Sequence, residues 1–71
     1  MRLLRTVYGT ADLRREAVED PVGPRFDEAL VAQADHMEIW TTGPRPEGRA
    51  FRCYLFTGRV EIGRRDLGDV Y

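Results

Sequence analysis

The chain has 71 residues and a formal net charge of −1, and it contains one cysteine and one histidine. Cys53 alone excludes an internal disulfide, and Cys53 with His36 is too few for a tetrahedral structural zinc site of nitrogen and sulfur ligands. The chain also lacks serine and lysine, which excludes catalysis through either side chain.

One domain, residues 1–71, is the expected organisation. A domain this short buries only about 60% of the surface that its unfolded chain exposes. Without a disulfide or a structural metal, association with a partner or a second copy is the expected source of further stability.

A cytoplasmic location is expected. Arg2 and Arg5 interrupt the apolar start of the chain, which does not match a secretory signal, and no stretch approaches the ~18 apolar residues of a membrane span. A lone thiol suits a reducing compartment. The absence of lysine, serine and asparagine points to a GC-rich genome, bacterial or phage.

The first half of the chain predicts a strand followed by helix. Residues 2–8 alternate weakly as a strand does, and Thr10 is the predicted N-cap of a helix over residues 11–19. Apolar residues at helical spacing over residues 26–37 predict a second helix. A strand over residues 30–34 stays open as an alternative.

The second half predicts strands. Residues 36–42 form one, and residues 43–48, rich in proline and glycine, form a loop. Residues 49–57 and 60–64 are expected to pair as a hairpin turning at Gly58. The tail from Asp66 is expected to loop or to cap the sheet edge.

These elements predict an α+β fold, with a small antiparallel sheet of about four strands packed against one or two short helices. A small all-β barrel-like domain is the alternative. Because strand side chains alternate, the strands of the second half present two faces. The predicted core face carries Met37, Ile39, Phe51, Cys53, Leu55, Val60 and Ile62. The opposite face carries Glu38, Trp40, Ala50, Arg52, Tyr54, Phe56, Arg59 and Glu61.

The aromatic content of this second face is its informative feature. Three aromatic side chains, Trp40, Tyr54 and Phe56, are too many for a purely solvent-exposed surface. Contiguous exposed apolar patches mark interaction sites. Three interpretations remain open: a second core layer covered by the second helix or the first strand, a homodimer interface, or a partner surface. The candidate binding residues are Trp40, Arg52, Tyr54, Phe56 and Arg59.

No catalytic residue, metal site or cofactor is predicted. A thiol nucleophile needs an imidazole within hydrogen-bond reach, but alternation puts Cys53 and His36 on opposite faces. Asp35, His36 and Glu38 offer only one imidazole, whereas metal-binding histidine motifs normally bring more.

The favoured function is a small non-catalytic protein-interaction module, working as a regulator, inhibitor or accessory subunit and as a homodimer. Its partner would be a protein or a second copy, with no membrane involved. One alternative is a nucleic-acid-binding regulator that uses the arginine-rich C-terminal hairpin, although the pI near 5.7 is far below that of typical phosphate-binding domains. A small enzyme with a pocket shared between subunits is the other alternative.

Overall fold

The computed structural model describes residues 2–41 and 49–70, without the side chains of residues 49–50 and 68–70. The strands are β1 (Arg2–Tyr8), β2 (His36–Thr41), β3 (Arg49–Thr57) and β4 (Val60–Val70). The segment between β1 and β2 contains helix α1 (Thr10–Arg14), a π-helical segment (Arg15–Glu19) and helix α2 (Glu28–Gln33).

The sheet is antiparallel throughout, with strand order β1-β2-β3-β4. β1 and β4 are its two edges, so the sheet is open and does not close into a barrel. The predicted α+β class is therefore confirmed, and the barrel-like alternative is wrong. No helix within the described ranges is long and apolar enough to cross a membrane.

The first helix begins differently from the prediction. Gly9, rather than Thr10, is the N-cap, with a φ of 89° and no side-chain capping bond. The chain turns sharply out of β1 at this point, and glycine adopts positive φ without the Cβ clash that threonine would suffer. After Arg14 the hydrogen bonding widens, and the Asp20 N–H donates to the Arg15 carbonyl at 2.8 Å.

The second helix is shorter than its apolar spacing predicts. The Asp27 carboxylate caps it, accepting from the Ala29 N–H at 2.8 Å and the Leu30 N–H at 3.3 Å. It ends at Gln33, and Met37 lies in β2 instead. The strand alternative for residues 30–34 is not what the chain adopts.

Both helices pack on one side of the sheet, which we call the helix face. The buried apolar core between the helices and the sheet consists of Val7, Leu13, Ala17, Phe26, Val31, Met37, Cys53 and Leu55.

The predicted core face agrees with this packing at most positions. Ile39 and Ile62 pack partly buried against the core, and Phe51 is half-buried. Val60 is the error, because it is 65% exposed. It pairs with Thr57 at the hairpin tip, where Thr57 is exposed as well.

The C-terminal hairpin is longer than predicted. Pairing of Thr57 with Val60 leaves Gly58 and Arg59 as a two-residue turn, so the hairpin turns at Gly58 as predicted. β4 then continues to Val70, because the long β3 offers pairing partners as far as Arg49. The expectation that the tail from Asp66 loops or caps the sheet edge is therefore wrong, because these residues extend β4. Thr42 and the predicted loop over residues 43–48 lie outside the described residues.

Candidate interaction surface

The sheet face turned away from the helices is the candidate site, and we call it the open face. The pairing register places on it Leu3, Thr6 and Tyr8 of β1, His36, Glu38 and Trp40 of β2, Arg52, Tyr54 and Phe56 of β3, and Glu61, Arg64 and Asp66 of β4. α2 lies on the helix face, and β1 pairs along the edge of the same sheet. Neither of the two elements considered as a cover for Trp40 therefore covers it.

A row of aromatic rings crosses the open face. Tyr8, His36 and Phe56 are cross-strand neighbours, and their rings stack. The centroids are 5.5 Å apart for Tyr8 and His36 and 5.0 Å apart for His36 and Phe56. Tyr54 adds a tilted ring at 6.4 Å from Phe56. The candidate residues Tyr54 and Phe56 thus belong to a continuous apolar cluster.

Polar contacts fix the β2 side chains of this cluster. Nδ1 of His36 lies 2.5 Å from Asp35 Oδ1, and its Nε2 lies 3.7 Å from Glu38 Oε2. The indole N–H of Trp40 donates to Glu38 Oε1 at 3.0 Å. The Gly58 N–H and His36 hold the pKa of Asp35 below its ordinary value. Within the described part of the chain, no three His, Cys, Asp or Glu side chains are grouped as metal ligands.

A shallow depression lies beside the aromatic row. Its volume is about 190 Å³, and it is lined by Glu38, Trp40, Tyr54, Phe56 and Glu61. Pockets for drug-sized molecules measure roughly 300–1,000 Å³. The depression therefore suits the side chains of an opposing protein surface better than a small-molecule substrate.

The predicted arginines are placed unequally. Arg52 lies on the open face next to Trp40, with its Nε 3.5 Å from Asp66 Oδ1. Arg59 lies in the hairpin turn and is exposed, because the two-residue turn removes it from the strand. Arg65 lies on the helix face, with its guanidinium carbon 5.4 Å from the centre of the Phe26 ring. The arginines of the hairpin are thus divided between the two faces.

Sequence reasoning missed Tyr8, Arg64 and Asp66 as members of the open face. Strict alternation from Glu61 assigns Arg64 to the helix face. A register shift between the pairs of Leu55 and Phe56 inserts one extra residue in β4, and this bulge turns Arg64 outward. No sequence signal places β1 beside β2, which is what brings Tyr8 to His36.

Cys53 and His36 are separated, as alternation predicts. Cys53 is 1% exposed within the core, and burial raises the pKa of its thiol to about 11. His36 lies on the open face, on the other side of the sheet. The two side chains therefore do not form a nucleophile–base pair.

A larger depression, of about 540 Å³, lies beside β1 and the π-helical segment. Both arginines of its lining are already paired, since Arg5 contacts Glu16, and Arg15 contacts Asp12. Glu16 raises the pKa of Arg5 further. Because the arginines there are neutralised by their own neighbours, this depression is a weaker candidate than the open face.

Comparisons with protein-family models, with curated proteins and with solved structures find no match to this chain.

Proposed function

We propose that this chain is a non-catalytic protein-interaction module, a regulator, inhibitor or accessory subunit, which binds through its open face and works as a homodimer. The observation that carries the proposal is the aromatic row of Tyr8, His36 and Phe56, with Tyr54 and Trp40 beside it, on a face that neither helix covers. Tryptophan, tyrosine and arginine are the residue types most enriched at binding hot spots.

A second copy is the first partner to test. The core lies on one side of a four-stranded sheet, so the other side still has apolar surface to bury. A two-fold contact covers the same patch on both subunits, which stabilises a short chain without a disulfide. A cytoplasmic location belongs to this proposal and is supported by the single free cysteine.

The open face supports a protein partner over nucleic acid. Glu38 and Glu61 line the depression between the aromatic rings, and carboxylates there repel phosphate. The division of the hairpin arginines between two faces also weakens a phosphate-binding patch. A salt titration separates the two classes, because each phosphate contact adds to the salt dependence of binding.

The experiment is light scattering behind a sizing column on the wild type and the Trp40→Ala variant. We expect the wild type to show about twice the 8.2 kDa chain mass at micromolar concentration. The variant should remain folded by circular dichroism and lose about 2 kcal/mol or more of association energy, as hot-spot truncations do.

Val22→Ala is the control, because Val22 is 81% exposed and lies in the connection from the π-helical segment to α2, away from the open face. Its mass should match the wild type. A wild-type mass of one chain at all concentrations contradicts the homodimer. A Trp40→Ala protein that is unfolded would assign Trp40 to the core instead of a binding surface.

A further inference from the structure

The depression on the open face combines aromatic rings with carboxylates. Trp40, Tyr54 and Phe56 are its three half-buried aromatic residues, and Glu38 and Glu61 are its two acidic residues. None of the described basic side chains lines it. Because an aromatic ring presents a negative face to whatever lies above it, the rings and the carboxylates both favour a positive charge in the depression.

The strand register places one carboxylate on either side of the β3 rings. Glu38 of β2 pairs with Tyr54, and Glu61 of β4 pairs with Phe56. Neighbouring strands lie about 4.8 Å apart, so a group that lies above β3 is within reach of an acidic side chain from each side. A cation there contacts ring faces below it and carboxylates at its two sides.

The two carboxylates differ in how firmly they are held. Glu38 Oε1 accepts from the Trp40 indole at 3.0 Å, and its Oε2 lies 3.7 Å from His36 Nε2. Glu61 is exposed and makes no hydrogen bond or ion pair with any of the described residues. Glu38 is therefore already positioned, whereas the charge of Glu61 is available to a ligand.

We propose that the depression binds an arginine side chain of a partner protein, an inference that rests on the proposed binding through the open face. A cation within about 6 Å of a ring centre is attracted to the ring face, most strongly by tryptophan. Arginine fits a shallow site better than lysine, because its planar guanidinium stacks on rings while it donates to carboxylates. All eleven basic residues of this chain are arginine, so a second copy meets this requirement as another protein does.

The arginines of the open face itself do not line the depression. Arg52 lies beside Trp40, with its Nε 3.5 Å from Asp66 Oδ1. Arg64 pairs with Tyr54 on the side opposite Glu38, and it is exposed. Because Arg64 is next to a lining ring, its charge opposes a guanidinium bound there, and its removal should tighten binding.

Two blocked tripeptides test the site, one with a central arginine and one with citrulline, which has nearly the same shape and no charge. Trp40 is the only tryptophan of the chain, so its fluorescence reports binding at the depression itself. We expect the arginine peptide to change this fluorescence saturably and to bind at least about fivefold more tightly than the citrulline peptide. Equal binding of the two peptides, or binding of neither, overturns the inference.

Substitutions separate the contribution of the charge from that of the rings. Glu61→Gln and Tyr54→Leu are each expected to weaken binding of the arginine peptide about two- to fivefold, through the lost ion pair and the lost ring face. Arg64→Gln is expected to strengthen it. Glu28→Gln on α2 removes the same charge away from the open face and is the matched control. Circular dichroism verifies that each variant is folded, and equal effects of Glu61→Gln and Glu28→Gln contradict the site.

Self-association is measured separately by light scattering. The titration uses the lowest protein concentration that tryptophan fluorescence permits, so that a second copy competes least for the open face. A wild-type dimer that Trp40→Ala dissociates, together with equal binding of the two peptides, overturns the arginine site but keeps the proposed function. A monomeric wild type that prefers the arginine peptide contradicts the homodimer and supports the arginine site.

Discussion

At the scale of single residues, Cys53 is expected to be chemically quiet. It is buried in the core, and burial raises its pKa from 9.0 to about 11, so the reactive thiolate is scarce near neutral pH. Labelling by a thiol reagent should be slow in native buffer and fast in denaturant. Rapid native labelling would contradict the buried placement.

The same shift gives a pH dependence with a definite sign. The unfolded thiol ionises near pH 9, whereas the folded one holds its proton until about pH 11, so the free energy of unfolding falls as pH rises across that window. Cys53→Ala should flatten this part of the profile when urea unfolding is measured from pH 8 to 11. The substitution itself is expected to cost on the order of 1 kcal/mol or more through the cavity left behind.

Alternation alone predicted the sides of Cys53, His36, Trp40 and Tyr54 correctly, because each lies in the regular part of β2 or β3. Alternation does not extend to Arg64, which follows the bulge in β4. The bulge depends on how two strands pair across the sheet, and no pattern within one strand records it. Alternation therefore predicts the face of a side chain only within a regular strand, and not beyond a bulge that strand pairing creates.

At the scale of elements, the turn after the π-helical segment depends on Gly23. A Cβ there would lie 2.4 Å from the carbonyl oxygen of Glu16, which is backbone and cannot rotate away. We expect Gly23→Ala to lower the free energy of unfolding by about 2–3 kcal/mol, as overpacking does, measured by urea denaturation.

Gly58→Ala is the matched comparison. A Cβ at Gly58 meets nothing within 4 Å, so only its φ of 61° disfavours alanine, at a cost of about 1–2 kcal/mol. A loss for Gly23→Ala no larger than the loss for Gly58→Ala would show that the turn relaxes around the added methyl.

Local signals predicted element bounds well where a strong break follows. Gly9 ends β1 and Gly58 ends β3, as expected. The helix predicted over residues 26–37 is longer than the one observed. Its apolar residues keep a helical spacing up to Met37, although the backbone changes to a strand at His36. The end of β4 was missed because its length depends on β3, its pairing partner.

At the scale of the whole molecule, the sequence predicted two apolar sheet faces but not that the helices cover only one. The connection from β1 to β2 carries α2 to one face of the sheet. That choice depends on tertiary packing, which the residue pattern of a single strand does not encode. The residue types of the open face therefore predict a candidate site, but only the arrangement of the strands and helices shows which residues form one surface. The stacking of Tyr8 on His36 is an example, because it depends on the pairing of β1 with β2.

If the chain associates as the proposed homodimer, the stability of its fold depends on protein concentration. Dissociation accompanies unfolding, so raising the protein concentration hundredfold stabilises the folded dimer by about 2.7 kcal/mol. For a domain of this size that corresponds to several degrees in Tm. We expect the wild-type Tm to rise accordingly in calorimetry over that range, and the Tm of Trp40→Ala to stay constant. A constant wild-type Tm would mean that the open face is not buried by a second copy, and Trp40 would then have to act on a different protein.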